Sequence, residues 1–134
     1  MPYIYGMILP FLTIASSSNR GRGVFTTEKI EKGTIIEIAP VIVLNPEERA
    51  HVEKTLLYDY IFEWGADHQS AAVALGYVSI YNHIADPNCA YQMDFEEQTI
   101  TITTIKDILI GEELLINYMN PEGASDKSVW FDTF

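Results

Sequence analysis

Apolar and polar residues alternate along this chain in short runs broken by glycine and proline. From Gln98 to Ile105 the alternation is clearest, through Thr99, Ile100, Thr101, Ile102 and Thr103. A period of two sends one set of side chains to one face, so this run predicts a half-buried strand with isoleucine inward. Gly23 to Thr27 and Thr34 to Ala39 also read as strands, Pro40 punctuates, and Val41 to Leu44 reads as a further short strand. In Leu56 to Trp64 the aromatics Tyr58, Tyr60, Phe62 and Trp64 alternate as in a strand. Ala71 to Gly76 suits a tight helical turn or a buried strand, and Glu113 to Tyr118 is the last short strand. Helix signals are few. Asn45-Pro46-Glu47-Glu48 is a start signal, with a capping residue, proline at the first helical position and two carboxylates at the positive end. That helix is expected to reach about Lys54. Short strands, little helix and no βαβ period predict a mainly-β domain, without saying which.

Composition narrows the picture. The chain has 134 residues and is 48% hydrophobic, which favours one domain with a core of its own. Its single cysteine, Cys89, excludes an intrachain disulfide and a cysteine-cluster zinc site. Eight basic residues against 19 acidic ones give a net charge of -11. Such a surface repels nucleic acid and anionic lipid, and attracts basic proteins. Met1 to Ala15 is apolar but interrupted by Pro2, Gly6 and Pro10, so it reads as core strand or dimer surface and not as a membrane span. It lacks a basic start and an Ala-x-Ala site, so no signal peptide is expected and the cytoplasm is the default location.

Three segments carry candidate chemistry. Gly21-Arg22-Gly23 allows a sharp turn and close backbone approach to a ligand, although alone it is an ordinary hairpin loop. It lacks the third glycine and the strand–helix context of a dinucleotide fingerprint. Tyr81-Asn82-His83-Ile84-Ala85-Asp86-Pro87-Asn88 places an amide and an imidazole in irregular backbone. About 30 residues later comes Gly111-Glu112-Glu113-Leu114-Leu115-Ile116-Asn117-Tyr118. A lone tyrosine at a strand end is usually a core or rim residue.

Together, in this order and spacing, the three segments resemble the SET domain of protein-lysine methyltransferases, from about Asn19 to Tyr118. The resemblance implies a β-clip-like fold of small curved sheets with a C-terminal pseudoknot and few short helices. It implies S-adenosylmethionine as cofactor, with Arg22 and Gly23 near its methionine part, Asn82 at the amino-acid end and the His83 backbone against the adenine. The His83 side chain would support the knot. Tyr118 would face the cofactor and the target lysine as the catalytic residue. Tyr60, Tyr77 and Tyr81 are candidates for the aromatic substrate channel, with core packing as the alternative for Tyr58 and Tyr77.

The chain also departs from the family pattern. Ile84 stands where a serine is usual, and Asn117 where an aspartate is usual, which removes a negative charge near the site. Ala85 stands where many relatives have a zinc-sharing cysteine, and no C-terminal cysteine cluster follows, so no metal is expected. His51, His68 and His83 lack ligand spacing. Residues 1–134 are read as one SET domain, with 119–134 a short aromatic tail in place of a zinc-binding region. Trp130 in that tail would stack on the adenine or dock on a partner subunit. The expected partner is a basic, lysine-containing protein, histone-like or ribosomal. A homodimer would suit the apolar N-terminus, and a nuclear or host-directed location would follow from a eukaryotic, viral or pathogen source. The alternative is a non-catalytic SET-like module that binds cofactor or a basic peptide.

Overall fold

A computed structural model gives the fold, and residues 4–18 and 20–123 are those it describes. The strands are β1 (Met7–Ile8), β2 (Leu12–Ser17), β3 (Gly21–Thr26), β4 (Ile35–Leu44), β5 (Ile61–Trp64), β6 (Ser70–Ala74), β7 (Asn82–His83), β8 (Cys89–Asp94), β9 (Thr99–Thr104) and β10 (Glu113–Ile116). Helix α1 (Pro46–Val52) follows β4, and two 3-10 turns span Leu56–Tyr60 and Val78–Ile80. One sheet runs β5-β6-β4-β9-β8, with β1 also on β4, and the other runs β2-β3-β10-β7.

The threonine–isoleucine alternation is β9, with Ile100 and Ile102 fully buried. They pack with Ile36, Val24, Ile108, Leu114 and Ile116, each with 0–1% exposure. Burying one such side chain is worth about 1.5–3 kcal/mol, so this cluster joins the two sheets. Helix α1 starts as expected, with a capping box in which Asn45 Oδ1 accepts from Glu48 N at 2.8 Å and Glu48 Oε1 accepts from Asn45 N at 2.9 Å.

Three expectations change. Pro40 does not end a strand: β4 is continuous from Ile35 to Leu44. It pairs with β1 at Glu37 and Ile38 and with β6 from Val41 to Leu44, and Pro40 falls between the two partners. Its missing N–H therefore removes no ladder bond on that edge, while its carbonyl accepts from Leu75 N at 3.0 Å. The aromatic run is a strand only from Ile61; Leu56–Tyr60 is a 3-10 turn capped by Thr55 Oγ1 on Leu57 N. Leu56 and Tyr58 are 79% and 60% exposed, so that half of the run faces solvent and Tyr58 is not core. The last strand stops at Ile116, two residues early, because Asn117 Oδ1 accepts from Met119 N at 2.9 Å and turns the chain. Ala71 to Ala74 resolves as the buried strand β6.

Among the described residues one carboxyl group sits inside this frame. Glu37 of β4 is fully buried, and the removal of water pushes its carboxyl up from 4.5 to about 7 against the hydrogen bonds from Tyr77 N and Tyr81 Oη. A carboxyl whose folded pKa is raised contributes stability that is fully present below about pH 4.5 and is lost as pH rises through about 7. The contribution is about 3 kcal/mol. Urea denaturation between pH 5 and pH 8 should therefore show Glu37→Gln losing less stability than the parent, by about 2–3 kcal/mol. Equal slopes in the two proteins would show that Glu37 keeps an ordinary carboxyl.

Candidate active site

Two residues of β7 set the site. Asn82 pairs with Leu115 and His83 with Ile116 in a short parallel ladder, and Ile84 N closes it on Ile116 O at 2.9 Å. On its other edge β10 pairs antiparallel with β3, Leu114 opposite Val24 and Glu113 opposite Phe25. The three sequence segments are thereby neighbouring strands of one sheet. The chain after β10 then lies against 85–91: Asn117 Nδ2 donates to Ala85 O, Tyr91 Oη to Tyr118 O and Tyr91 N to Pro121 O. Asn88 locks the same contact, donating to Glu113 O at 2.9 Å and accepting from Leu115 N at 2.8 Å.

Glu113 is the polar centre of the first half of the site. Its Oε1 accepts from Ser17 Oγ at 2.7 Å and lies 3.6 Å from the Arg20 guanidinium, while Oε2 accepts from Asn82 Nδ2 at 2.8 Å. Asn82 Nδ2 also donates to Arg22 O at 2.9 Å. Both amide hydrogens are thus committed, which fixes the flip of the side chain and leaves Oδ1 as a directed acceptor. Gly23 is buried beside this pair, and a Cβ there would fall onto Glu113 Oε2 and lie 2.9 Å from Asn82 Nδ2. The glycine is required by space, since its neighbours occupy the volume of a methyl group.

His83 and Tyr118 form the second half. His83 Nδ1 accepts from Tyr118 N at 3.0 Å, so in this arrangement the ring is neutral with its hydrogen on Nε2. Burial, and then the Arg20 charge, lower the His83 pKa, in keeping with that form. The rings of His83 and Tyr118 lie 5.1 Å apart and tilted. Tyr118 Oη donates to Tyr81 O at 2.7 Å, which aims the phenol along β7. Burial, then Glu113 and Tyr60, push the Tyr118 phenol above 10, so it is a neutral hydroxyl at physiological pH.

The structure brings Arg22, Gly23, Asn82, His83 and Tyr118 together, with Arg22 contributing its carbonyl while its side chain is exposed. Tyr60, at 40% exposure, lies near enough to act on Tyr118. Tyr77 is half-buried and packs on the core. Tyr81 departs from the expectation of a channel ring: it is fully buried with its hydroxyl on Glu37 Oε1 at 3.0 Å, and only its carbonyl faces the site. Trp130 and the aromatic tail lie outside the described residues. Sequence reasoning missed Ser17, Arg20 and Glu37, and passed over Glu113 although it lies inside a quoted motif. Among the described residues no group of three His, Cys, Asp or Glu side chains is arranged to hold a metal ion.

Small curled sheets, a C-terminal strand pairing in parallel with the Asn82–His83 segment and a tyrosine behind it define the class. A family model of the SET domain matches residues 21–119. Over 108 residues the chain is 37% identical to the histone-lysine N-methyltransferase, H3 lysine-37 specific, of Schizosaccharomyces pombe, covering 80% of this chain and 72% of that protein. The fold is similar to that of a Plasmodium falciparum protein described as a histone methyltransferase, with a TM-score of 0.66 and 30% identity over 83% of this chain and 95% of that one. It is also similar to a chain of ctPRC2 in complex with H3K27me3 and H3K27M, with a TM-score of 0.67 and 26% identity over 80% of this chain and 14% of that one. The chain belongs to the SET domain family.

Removing the carboxylate at the centre should have a structural cost separate from any activity. Glu113→Ala leaves the buried Ser17 hydroxyl and one Asn82 N–H without their partner, and is expected to cost about 2–4 kcal/mol of unfolding free energy. Combined with Asn82→Ala the losses should fall short of additive by about 1 kcal/mol, measured by denaturant titration of the four proteins. Strict additivity would mean that the pair does not interact.

Proposed function

We propose that this chain transfers a methyl group from S-adenosylmethionine to the ε-amine of a lysine in a basic protein, with a histone as the substrate class. The observation that carries this reading is the convergence of the Gly23 backbone, the Asn82 acceptor and the Tyr118 hydroxyl on one sheet. The residues fit the cofactor. Arg22 O and Asn82 Oδ1 are acceptors beside the Glu113 carboxylate, and such a set suits the ammonium of an amino acid. When bound, the cofactor supplies an electrophilic methyl on a sulfonium.

The rest of the work falls to the protein. A lysine amine has a reference pKa of ~10.4, and its protonated form outnumbers the reactive one by about three decades at neutral pH. The walls must disfavour that charge, and Tyr60 and Tyr118 offer aromatic surface for this. Tyr118 is half exposed, with its hydrogen committed to Tyr81 O, so its oxygen lone pairs are free to accept from the incoming nitrogen. Because its own pKa is raised it is a poor source of phenolate, and its role is to orient the nitrogen. His83 supports this by holding the Tyr118 backbone, and moves no proton. The S. pombe relative, named for histone H3, and the net charge of -11 both support a basic substrate.

The test is transfer of label from radiolabelled S-adenosylmethionine to histones. Tyr118→Phe should lower kcat at least about tenfold with cofactor affinity nearly kept, and Asn82→Ala should weaken cofactor binding about tenfold or more by calorimetry. Cofactor binding without transfer to any basic protein would leave a non-catalytic module. No binding at all would overturn both.

A further inference from the structure

Glu37 is the only charged side chain in the buried set among the described residues, and it lies outside the polar centre built on Glu113. Its two oxygens serve different partners. Oε2 accepts from Tyr77 N at 2.7 Å and Oε1 from Tyr81 Oη at 3.0 Å. Tyr77 and Tyr81 flank the 3-10 turn Val78–Ile80, so one carboxylate from β4 grips both ends of that turn. Gly76, with φ of +83°, makes room for this: a Cβ there would fall onto Glu37 Oε2. Val78 and Ile80 of the turn pack on the core, and the polar ties of the turn and its C-terminal flank reach toward the site. Ser79 Oγ donates to Tyr60 O at 2.9 Å, the Tyr81 carbonyl accepts from the Tyr118 hydroxyl at 2.7 Å, and Asn82 follows directly.

We propose that Glu37 is a positioning residue for the Tyr118 hydroxyl, acting through Tyr81, whose ring it anchors and whose carbonyl aims the phenol. The kinetic part of this inference rests on the methyl-transfer reading. The ionised carboxylate can accept from both Tyr77 N–H and Tyr81 O–H. A protonated carboxyl carries a hydrogen of its own; given to Tyr81 Oη, it leaves the Tyr81 hydrogen with no acceptor in a fully buried pocket. The titratable groups around Glu37 are Tyr77, Tyr81 and, beyond Tyr81, the buried Cys89. The residues paired with it on the flanking strands, Ile8 and Ile102, are apolar. The switch from acceptor pair to acid falls at about pH 7.

Glu37→Gln keeps the shape but places an acceptor on one side only: with its oxygen on Tyr77 N–H, its NH2 meets Tyr81 Oη and leaves the Tyr81 hydrogen with no acceptor. Relative to the parent at pH 8, kcat should fall about tenfold, with cofactor Kd and substrate KM each within about threefold. The parent-to-variant ratio of kcat cancels ionisation of the substrate lysine, which both proteins share. That ratio should shrink toward one as pH falls to 6. A ratio that stays constant with pH, or a loss that lies wholly in cofactor affinity or in the folded fraction, overturns the proposal. Tyr81→Phe, which retains Glu37 but cuts the tie, should reproduce the kcat loss. A reading independent of turnover comes from the parent protein labelled at tyrosine Cζ with carbon-13. The Tyr81 and Tyr118 resonances, assigned by the two Phe variants, should move together with one midpoint near 7; unmoved resonances between pH 6 and 8 overturn the tie. A parent protein that binds cofactor and transfers no methyl overturns the enzyme reading alone, since the tyrosine resonances still decide the role of Glu37.

Discussion

The site hangs on a parallel pairing only two residues long. Asn82 against Leu115 and His83 against Ile116 bring the central loop and β10 into register. Side chains on a strand alternate faces, so a slip of one residue would exchange the directions of Asn82 and His83. Two ladder pairs are a weak constraint by themselves. Asn88 makes it a strong one, because its amide bonds both Glu113 O and Leu115 N and so reads the register of β10 directly. The fully buried Leu114 and Ile116 add the hydrophobic half of the same lock.

Two carboxylates then divide the polar work, and their environments are opposite. Glu113 is surrounded by donors, from Ser17, Asn82 and Arg20, and it organises the side chain and backbone that would meet a cofactor. Glu37 has two hydrogen bonds and, among the described residues, no ion-pair partner, and burial dominates its ionisation. Its charged form lowers stability in the pH range where it holds the turn most firmly. A fold optimised for stability alone would place an apolar residue there, so the carboxylate is better explained by what it orients than by what it stabilises.

Much of this was legible in the chain, and the unread parts share a cause. The threonine–isoleucine run could only be a strand with isoleucine inward, and the Asn45 capping box could only start a helix, because both signals are local. The three motifs could be joined by resemblance, and the structure makes them neighbours through β3, β10 and β7. The aromatic run misled because Tyr58 and Tyr60 keep a strand-like period while Thr55 caps a 3-10 turn over them. Tyr81 was taken for a channel residue because proximity to Asn82 in sequence says nothing about which way the ring points. Glu37 was silent because its meaning comes from a partner about 40 residues away and from burial, neither of which composition or period reports. Arg20 and Ser17 were silent for the same reason: their partner, Glu113, is brought to them by sheet pairing.

The acidity of the chain raises a physical conflict under the proposed chemistry, and the site's geometry answers it. A net charge of -11 draws a lysine-rich partner in, but a free carboxylate beside the target would stabilise its ammonium and hold back the neutral amine that reacts. Attraction at long range must therefore be separated from neutrality at short range. Glu113, the carboxylate nearest the cofactor-facing residues, is met by the Arg20 guanidinium and by two neutral donors. Asn117, beside Tyr118, is a neutral amide, and it is buried in bonds to Ala85 O and Met119 N. Its amide serves the chain's turn while adding no charge next to the phenol. Both features work in one direction: they reduce, without removing, the anionic character at Tyr118 that would favour a protonated lysine, since the Glu113 charge still reaches the phenol.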